Sequence, residues 1–208
     1  MVNCKSPLLE LIELSITYPH TKQPIINSFS LKINRANIIG IIGDNGSGKT
    51  TLLKTIARLI PIYNGKIIYH TNKIGYVPEN CMLCPYATAY DILYYNLKLA
   101  QIEHNIENRI DALLEQFNLT NYKHQKIATF SKGMRQRVAF AQAIAHDPEL
   151  ILLDEPYSGL DKTSKEIINN LIIEQNNRGC SFLISAHEIA TNNFHYLIDL
   201  NKNDKLKQ

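Results

Sequence analysis

The chain has 208 residues, 45% of them hydrophobic and 20% charged, a balance that excludes a disordered chain or a fibrous repeat and predicts one α/β domain spanning 1–208. A formal net charge of +3 is spread along the chain without a dense Lys/Arg cluster, so no nucleic-acid partner is expected. No window approaches the roughly 18–20 consecutive apolar residues of a membrane-spanning helix, Met1 to Leu14 lack the pattern of a secretory leader, and four cysteines are too few for a disulfide scaffold. The expected location is cytoplasmic.

From Leu8 to Ile33, short β-branched runs broken by Pro19 and Pro24 predict two or three antiparallel strands. Asn37 to Ile42 is a short isoleucine-rich run, as in a strand buried on both faces of a parallel sheet. Leu52, Leu53, Ile56, Leu59 and Ile60 fall at helical spacing, which predicts a helix from Lys49 to Ile60, stopped by Pro61. Asn64-Gly65 is a turn dipeptide and predicts a hairpin, with a further strand, within 63–78.

Between Tyr86 and Ala145 the pattern changes to three helices, which predicts an inserted helical subdomain at about 86–145. One of them runs from Ile106 to Phe117, with Ile106, Ile110, Leu113, Leu114 and Phe117 on one face. Alternation then returns, with a strand at Leu150 to Leu153, a helix from Lys162 to Asn176 and a strand at Ser181 to Ser185. Strands separated by such helices pair in parallel through right-handed crossovers.

Gly43-Asp44-Asn45-Gly46-Ser47-Gly48-Lys49-Thr50 fits the phosphate-loop pattern G-x-x-x-x-G-K-[ST] between a predicted strand and a predicted helix. The glycines let backbone amides curl around phosphates at a helix N-terminus. Lys49 adds a point charge for the β- and γ-phosphates, Thr50 offers a hydroxyl to Mg²⁺, and Thr51 follows in the first helical turn. Downstream, Leu150 to Leu153 delivers Asp154 and Glu155 to the carboxyl edge of the sheet, where ligands of open α/β sheets collect. Asp154 is the candidate Mg²⁺ partner, through water, and Glu155 the candidate base or orienter of an attacking water.

The stretch Phe130-Ser131-Lys132-Gly133-Met134-Arg135-Gln136-Arg137-Val138 resembles the signature of ABC-type ATPase domains, whose usual form is L-S-G-G-Q. Lys132 and Met134 depart from that form, while Ser131 and Gly133 keep it. The form S-K-G-M-x-Q-R resembles a variant found among ATP-binding subunits of ABC exporters. Ser131 also suits the N-cap of a helix running to Ala145.

The resemblance covers about Leu8 to Leu200 and implies an ABC ATPase fold: a phosphate-loop core with a mainly parallel sheet, an N-terminal antiparallel β subdomain and an inserted helical subdomain. It implies that Tyr18 stacks on adenine, that Ser158-Gly159-Leu160-Asp161 couples two sites across a dimer, and that His187 touches the γ-phosphate. Glu79, in Gly75-Tyr76-Val77-Pro78-Glu79, stands where the family usually has Gln and is a candidate Mg²⁺ ligand. It also implies ATP and Mg²⁺ as ligands, and Glu155, His187 and Lys49 as the catalytic set. Ser131, Lys132, Gly133 and Met134 would contact ATP held by another copy or a related ATPase subunit. A separate transmembrane permease would be driven from its cytoplasmic face.

Two weaker signals stand beside these. Cys81-Met82-Leu83-Cys84 is a lone C-x-x-C without further ligands and reads as two free thiols. Asn201-Lys202-Asn203-Asp204 matches the guanine-reading N-K-x-D of GTPases, but no D-x-x-G element follows the phosphate loop, and a polar turn is expected. The rival readings are a phosphate-loop GTPase switch and an ABC-type ATPase acting outside transport.

Overall fold

Apolar side chains at alternate positions of four neighbouring strands divide the interior into two layers. The computed structural model describes residues 7–17, 23–186 and 194–201, and the backbone of 204–206. In chain order the elements are β1 (Pro7–Ile16), β2 (Ile26–Asn34), β3 (Ile38–Ile42), α1 (Lys49–Ile56), β4 (Asn64–Tyr69), β5 (Ile74–Val77), α2 (Ala89–Leu99), α3 (Ile106–Gln116), α4 (Lys132–Ile144), β6 (Leu150–Asp154), α5 (Lys162–Asn177), β7 (Ser181–Ser185), β8 (Tyr196–Asp199) and β9 (Asp204–Leu206). Two short 3₁₀ turns, at Thr120–Tyr122 and Ile127–Thr129, lie between α3 and α4.

The larger sheet has the order β5-β6-β7-β3-β8-β9, parallel except where β9 closes the edge antiparallel to β8. Ile39, Ile41, Leu150, Leu152, Leu183 and Ile198 face one layer, shared with β1, β2 and α1. Ile38, Ile151, Leu153, Phe182, Ile184 and Leu197 face the other, shared with the helices. Fully burying each such side chain contributes roughly 1.5–3 kcal/mol, so covering the sheet on both faces stabilises it strongly.

The smaller sheet, in the order β2-β1-β4, is antiparallel. Here the structure corrects the expected hairpin around Asn64-Gly65. Both residues lie inside β4, which pairs with β1, while β5 joins the other sheet. The dipeptide serves a β-bulge: Gly65 has φ +90° and faces the irregularity at Glu13, where an added Cβ would sit 2.4 Å from the Glu13 carbonyl oxygen.

A second correction shortens the first helix. α1 ends at Ile56 because Arg58 adopts φ +62°, its amide bonding to the Thr55 carbonyl and the Leu59 amide to the Lys54 carbonyl at 2.8 Å. This is a Schellman closure made without glycine, and it leaves Leu59 62% exposed. The Arg58 guanidinium lies 4.1 Å over the Tyr69 ring, holding the turn against β4.

The three helices expected between strands of the sheet are α2, α3 and α4. α2 begins with a capping box between Thr88 and Asp91. α3 buries the predicted face of Ile106, Ile110, Leu113, Leu114 and Phe117. The Phe117 and Phe140 rings meet edge to face at 5.4 Å, locking α3 to α4, and Phe140 contacts Phe182 of β7 in the same way at 6.4 Å. The fold class read from the sequence is therefore the one observed.

Candidate nucleotide site

The carboxyl ends of β3, β7 and β6 lie side by side, and each delivers one part of the site. β3 runs into the loop Gly43 to Gly48, where Gly46 and Gly48 have φ +85° and +99°. Those values suit glycine, and at Gly48 a Cβ would also press on Ile25 at 2.9 Å. The loop opens directly into α1, with Gly48 as its N-cap.

Lys49 is buried at the start of α1. Its ammonium donates to the Gly43 carbonyl at 2.7 Å and the Asp44 carbonyl at 3.2 Å, and lies 3.8 Å from Glu155 Oε1. Ser47 Oγ is buried without a hydrogen-bond partner, an orphaned polar atom inside the loop, as a phosphate cradle would need. The cleft of about 250 Å³ is lined by Ile25, residues 44–51, Glu79 and Glu155.

Asp154 ends β6 and is 2% exposed. Its Oδ1 accepts from Thr50 Oγ1 at 3.0 Å and from Ser185 Oγ at 2.8 Å. The parallel register places Asp154 opposite Ser185, so this second contact follows from strand pairing. Ser185 Oγ also accepts from the Glu155 amide at 2.9 Å, while Glu155 itself adopts φ +46°, a left-handed conformation unusual for a residue with a side chain. The serine thus fixes both carboxylate-bearing residues at once.

Among the described residues no group of three His, Cys, Asp or Glu side chains could hold a metal ion by itself. The donors present are hard oxygens, few in number, with Thr50 and Asp154 touching beside the loop. That set fits Mg²⁺, which keeps several waters and takes one or two protein oxygens plus phosphates from its ligand.

Glu79 lines the same cleft and accepts from Ser158 Oγ at 3.4 Å, joining the segment after β5 to the loop after β6. Ser131 caps α4, its side chain accepting from the Met134 amide at 3.2 Å. Gly133 packs so tightly on α5 that an added Cβ would sit 2.5 Å from Ser164 Oγ, and the Lys132 ammonium lies against Gly159. None of Ser131, Lys132, Gly133 and Met134 lines the cleft of their own chain. Tyr18 and His187 lie outside the described residues.

Sequence reasoning missed Ser185, Ile25 and Asn201. The Asn201 side-chain carbonyl accepts from the Asp44 amide at 3.3 Å, so this residue braces the phosphate loop, while Lys202 and Asn203 of the expected polar turn lie outside the described residues. A larger cleft, about 620 Å³, lies at the opposite edge of the sheet, where Arg35, Arg109 and Arg178 pair with Glu149, Asp147 and Glu174, and Lys73 also lines the wall. Cys81, Cys84 and Cys180 are free thiols. No helix among the described residues is long and apolar enough to cross a membrane.

Known proteins are similar to this chain. The chain is 37% identical over 173 residues to the ABC transporter ATP-binding protein YhaQ of Bacillus subtilis, covering 79% of this chain and 58% of that protein. It is 31% identical over 195 residues to the ABC transporter ATP-binding protein NatA of the same organism, covering 86% and 79%. It is 32% identical over 194 residues to the spermidine/putrescine import ATP-binding protein PotA of Pasteurella multocida, covering 88% and 52%. The chain thus spans just over half the length of YhaQ and PotA.

Among solved structures, the ATP-binding subunit of an ABC transporter superposes with a TM-score of 0.87 at 28% identity, over 96% of this chain and 90% of that one. Residues 26–158 match the profile of the ABC transporter family. With this profile match and these relatives, the chain belongs to the ABC transporter ATP-binding family.

Proposed function

We propose that this protein binds and hydrolyses ATP as one half of a head-to-tail pair, formed with a second copy or a related ATPase subunit, and that the pair drives a separate transmembrane permease from its cytoplasmic face. The observation that carries this reading is the position of Ser131 and Gly133. They stand at the capped start of α4, outside the phosphate cleft of their own chain, where a second subunit's triphosphate would meet them.

In this reading the phosphates lie on the amides from Gly46 to Thr51, and Lys49 turns from the loop carbonyls to the β- and γ-phosphates. Tyr18 stacks on the adenine. Thr50 and Asp154, with Glu79 also lining the cleft, would hold Mg²⁺, whose chemistry there would be to neutralise charge on the phosphate oxygens. Glu155 orients water for in-line attack, held in place by Ser185, and His187 contacts the γ-phosphate. Lys132 and Met134 complete the face that closes on the other subunit. Catalysis is positioning plus electrostatic stabilisation.

Export is supported by the S-K-G-M form of the signature, whereas PotA, an import protein by name, is also similar to this chain. A permease is supported by the transporter names of the relatives and by structural similarity to a putative metal-chelate type ABC transporter, with a TM-score of 0.84 at 25% identity. No nucleic-acid partner is proposed.

The test is Glu155→Gln, which should accumulate an ATP-bound dimer on size-exclusion chromatography. A variant that stays monomeric yet hydrolyses ATP at the wild-type rate removes Glu155 from the mechanism. Ser131→Arg should abolish hydrolysis while the isolated subunit still binds ATP; loss of binding as well defeats the shared site.

A further inference from the structure

We propose that Cys81 is a positioning residue for hydrolysis: its thiol, donated to the buried Gln136, ties the segment that carries Glu79 to the helix that begins at Ser131. Cys81 Sγ lies 3.0 Å from Gln136 Oε1 and 3.4 Å from the Pro78 carbonyl. Gln136 is 4% exposed and sits in the first half of α4, on the same helix as Ser131, Gly133 and Met134. The far half of α4 is already fixed to β5, since a Cβ on Gly75 would sit 2.5 Å from the Ala143 carbonyl oxygen. The Cys81–Gln136 contact therefore sets the angle of the half that carries the signature.

The other end of the same segment reaches the nucleotide. Glu79 lines the phosphate cleft and accepts from Ser158, and Cys81 follows only two residues later. A shift of Glu79 on nucleotide binding is thus passed to α4 through one S–H group. A serine hydroxyl can make the same donation. Alanine cannot, and would leave a buried carbonyl without a partner.

This inference rests on the two-subunit reading above, and its test separates the two. Wild type, Cys81→Ser, Cys81→Ala, Gln136→Met and the Cys81→Ala/Gln136→Met double variant of the full chain would be compared. The readouts are kcat and KM for ATP at several protein concentrations, the Kd of a fluorescent ATP analogue for the isolated subunit, and melting temperature. Cys81→Ala should lower kcat about tenfold with KM and Kd unchanged, the size expected for stranding one buried acceptor. Cys81→Ser should stay within about twofold of wild type, and the double variant should be no worse than Gln136→Met, because both remove one contact.

Wild-type kcat in Cys81→Ala, failure of serine to rescue, a parallel loss of Kd, or multiplying losses in the double variant would each overturn the assignment. Should wild-type specific activity not rise with protein concentration, the two-subunit reading fails. Should it rise while Cys81→Ala matches wild type, only the role of Cys81 fails.

Discussion

Ser185 Oγ donates to Asp154 Oδ1 at 2.8 Å from the neighbouring parallel strand, and the same oxygen receives the Glu155 amide at 2.9 Å. Ser185 is fully buried and stands at the end of β7, between the strand that feeds the phosphate loop and the strand that ends in Asp154. Its hydroxyl touches Asp154 and the Glu155 amide together, from a strand that carries neither motif. Ser185→Ala should therefore remove one donor from Asp154 and the Ser185 acceptor from the Glu155 amide. A loss of about 1–3 kcal/mol in urea unfolding is expected, with ATP turnover reduced about tenfold or more. A variant with unchanged stability and turnover would show that the bridge does nothing.

Gly65 provides a test of the smaller sheet. Its φ of +90° and the 2.4 Å approach of a Cβ to the Glu13 carbonyl oxygen leave no room for a side chain unless β1 or β4 moves. Gly65→Ala should destabilise by about 1–3 kcal/mol, seen as a lower urea midpoint with an unchanged slope. Gly179→Ala is the control. It also has positive φ, at +97°, but no atom within 4 Å of the added Cβ, so it carries the backbone cost alone and should be the milder change.

Asp161 gives the acid limb a specific contributor. It caps α5, and hydrogen bonds from the Ser164 amide and hydroxyl, both at 2.9 Å, hold its carboxyl below the ordinary carboxylate value. A depressed folded-state pKa means that the cap is fully present above the unfolded value of about 3.9 and is lost as pH falls through the folded one. Asp161→Ser retains a capping oxygen without a titrating group. Its melting temperature should fall less steeply than that of wild type below about pH 4. Parallel curves would assign the acid sensitivity to other groups.

Much of this protein was written in local spacing. The run Gly43 to Thr50, the pair Asp154-Glu155 and the cap at Ser131 each carry their chemistry within a few residues, so their elements could be placed before any coordinates. The buried face of α3 followed from its 3.6-residue period in the same way. Local signals failed where a non-local partner decided the outcome. Asn64-Gly65 has the composition of a turn, yet pairing with β1 made it part of a strand opposite a bulge. The end of α1 was misplaced because a left-handed Arg58, supported by the Tyr69 ring, performs the stop for which glycine is the usual sign.

The sequence by itself determined where the phosphate-loop motif, the acidic strand end and the capped helix sit, because each is set by side chains close together along the chain, and its alternation of strands and helices gave notice of the class of fold. Only the tertiary structure decided that Ser185 holds Asp154 and Glu155, that Asn201 braces the loop at Asp44, and that Gln136 is reached by Cys81. These contacts join residues 30 to 157 positions apart. They depend on the order and register of parallel strands and on how α4 lies across β5, quantities set by packing of the whole core that no local window contains.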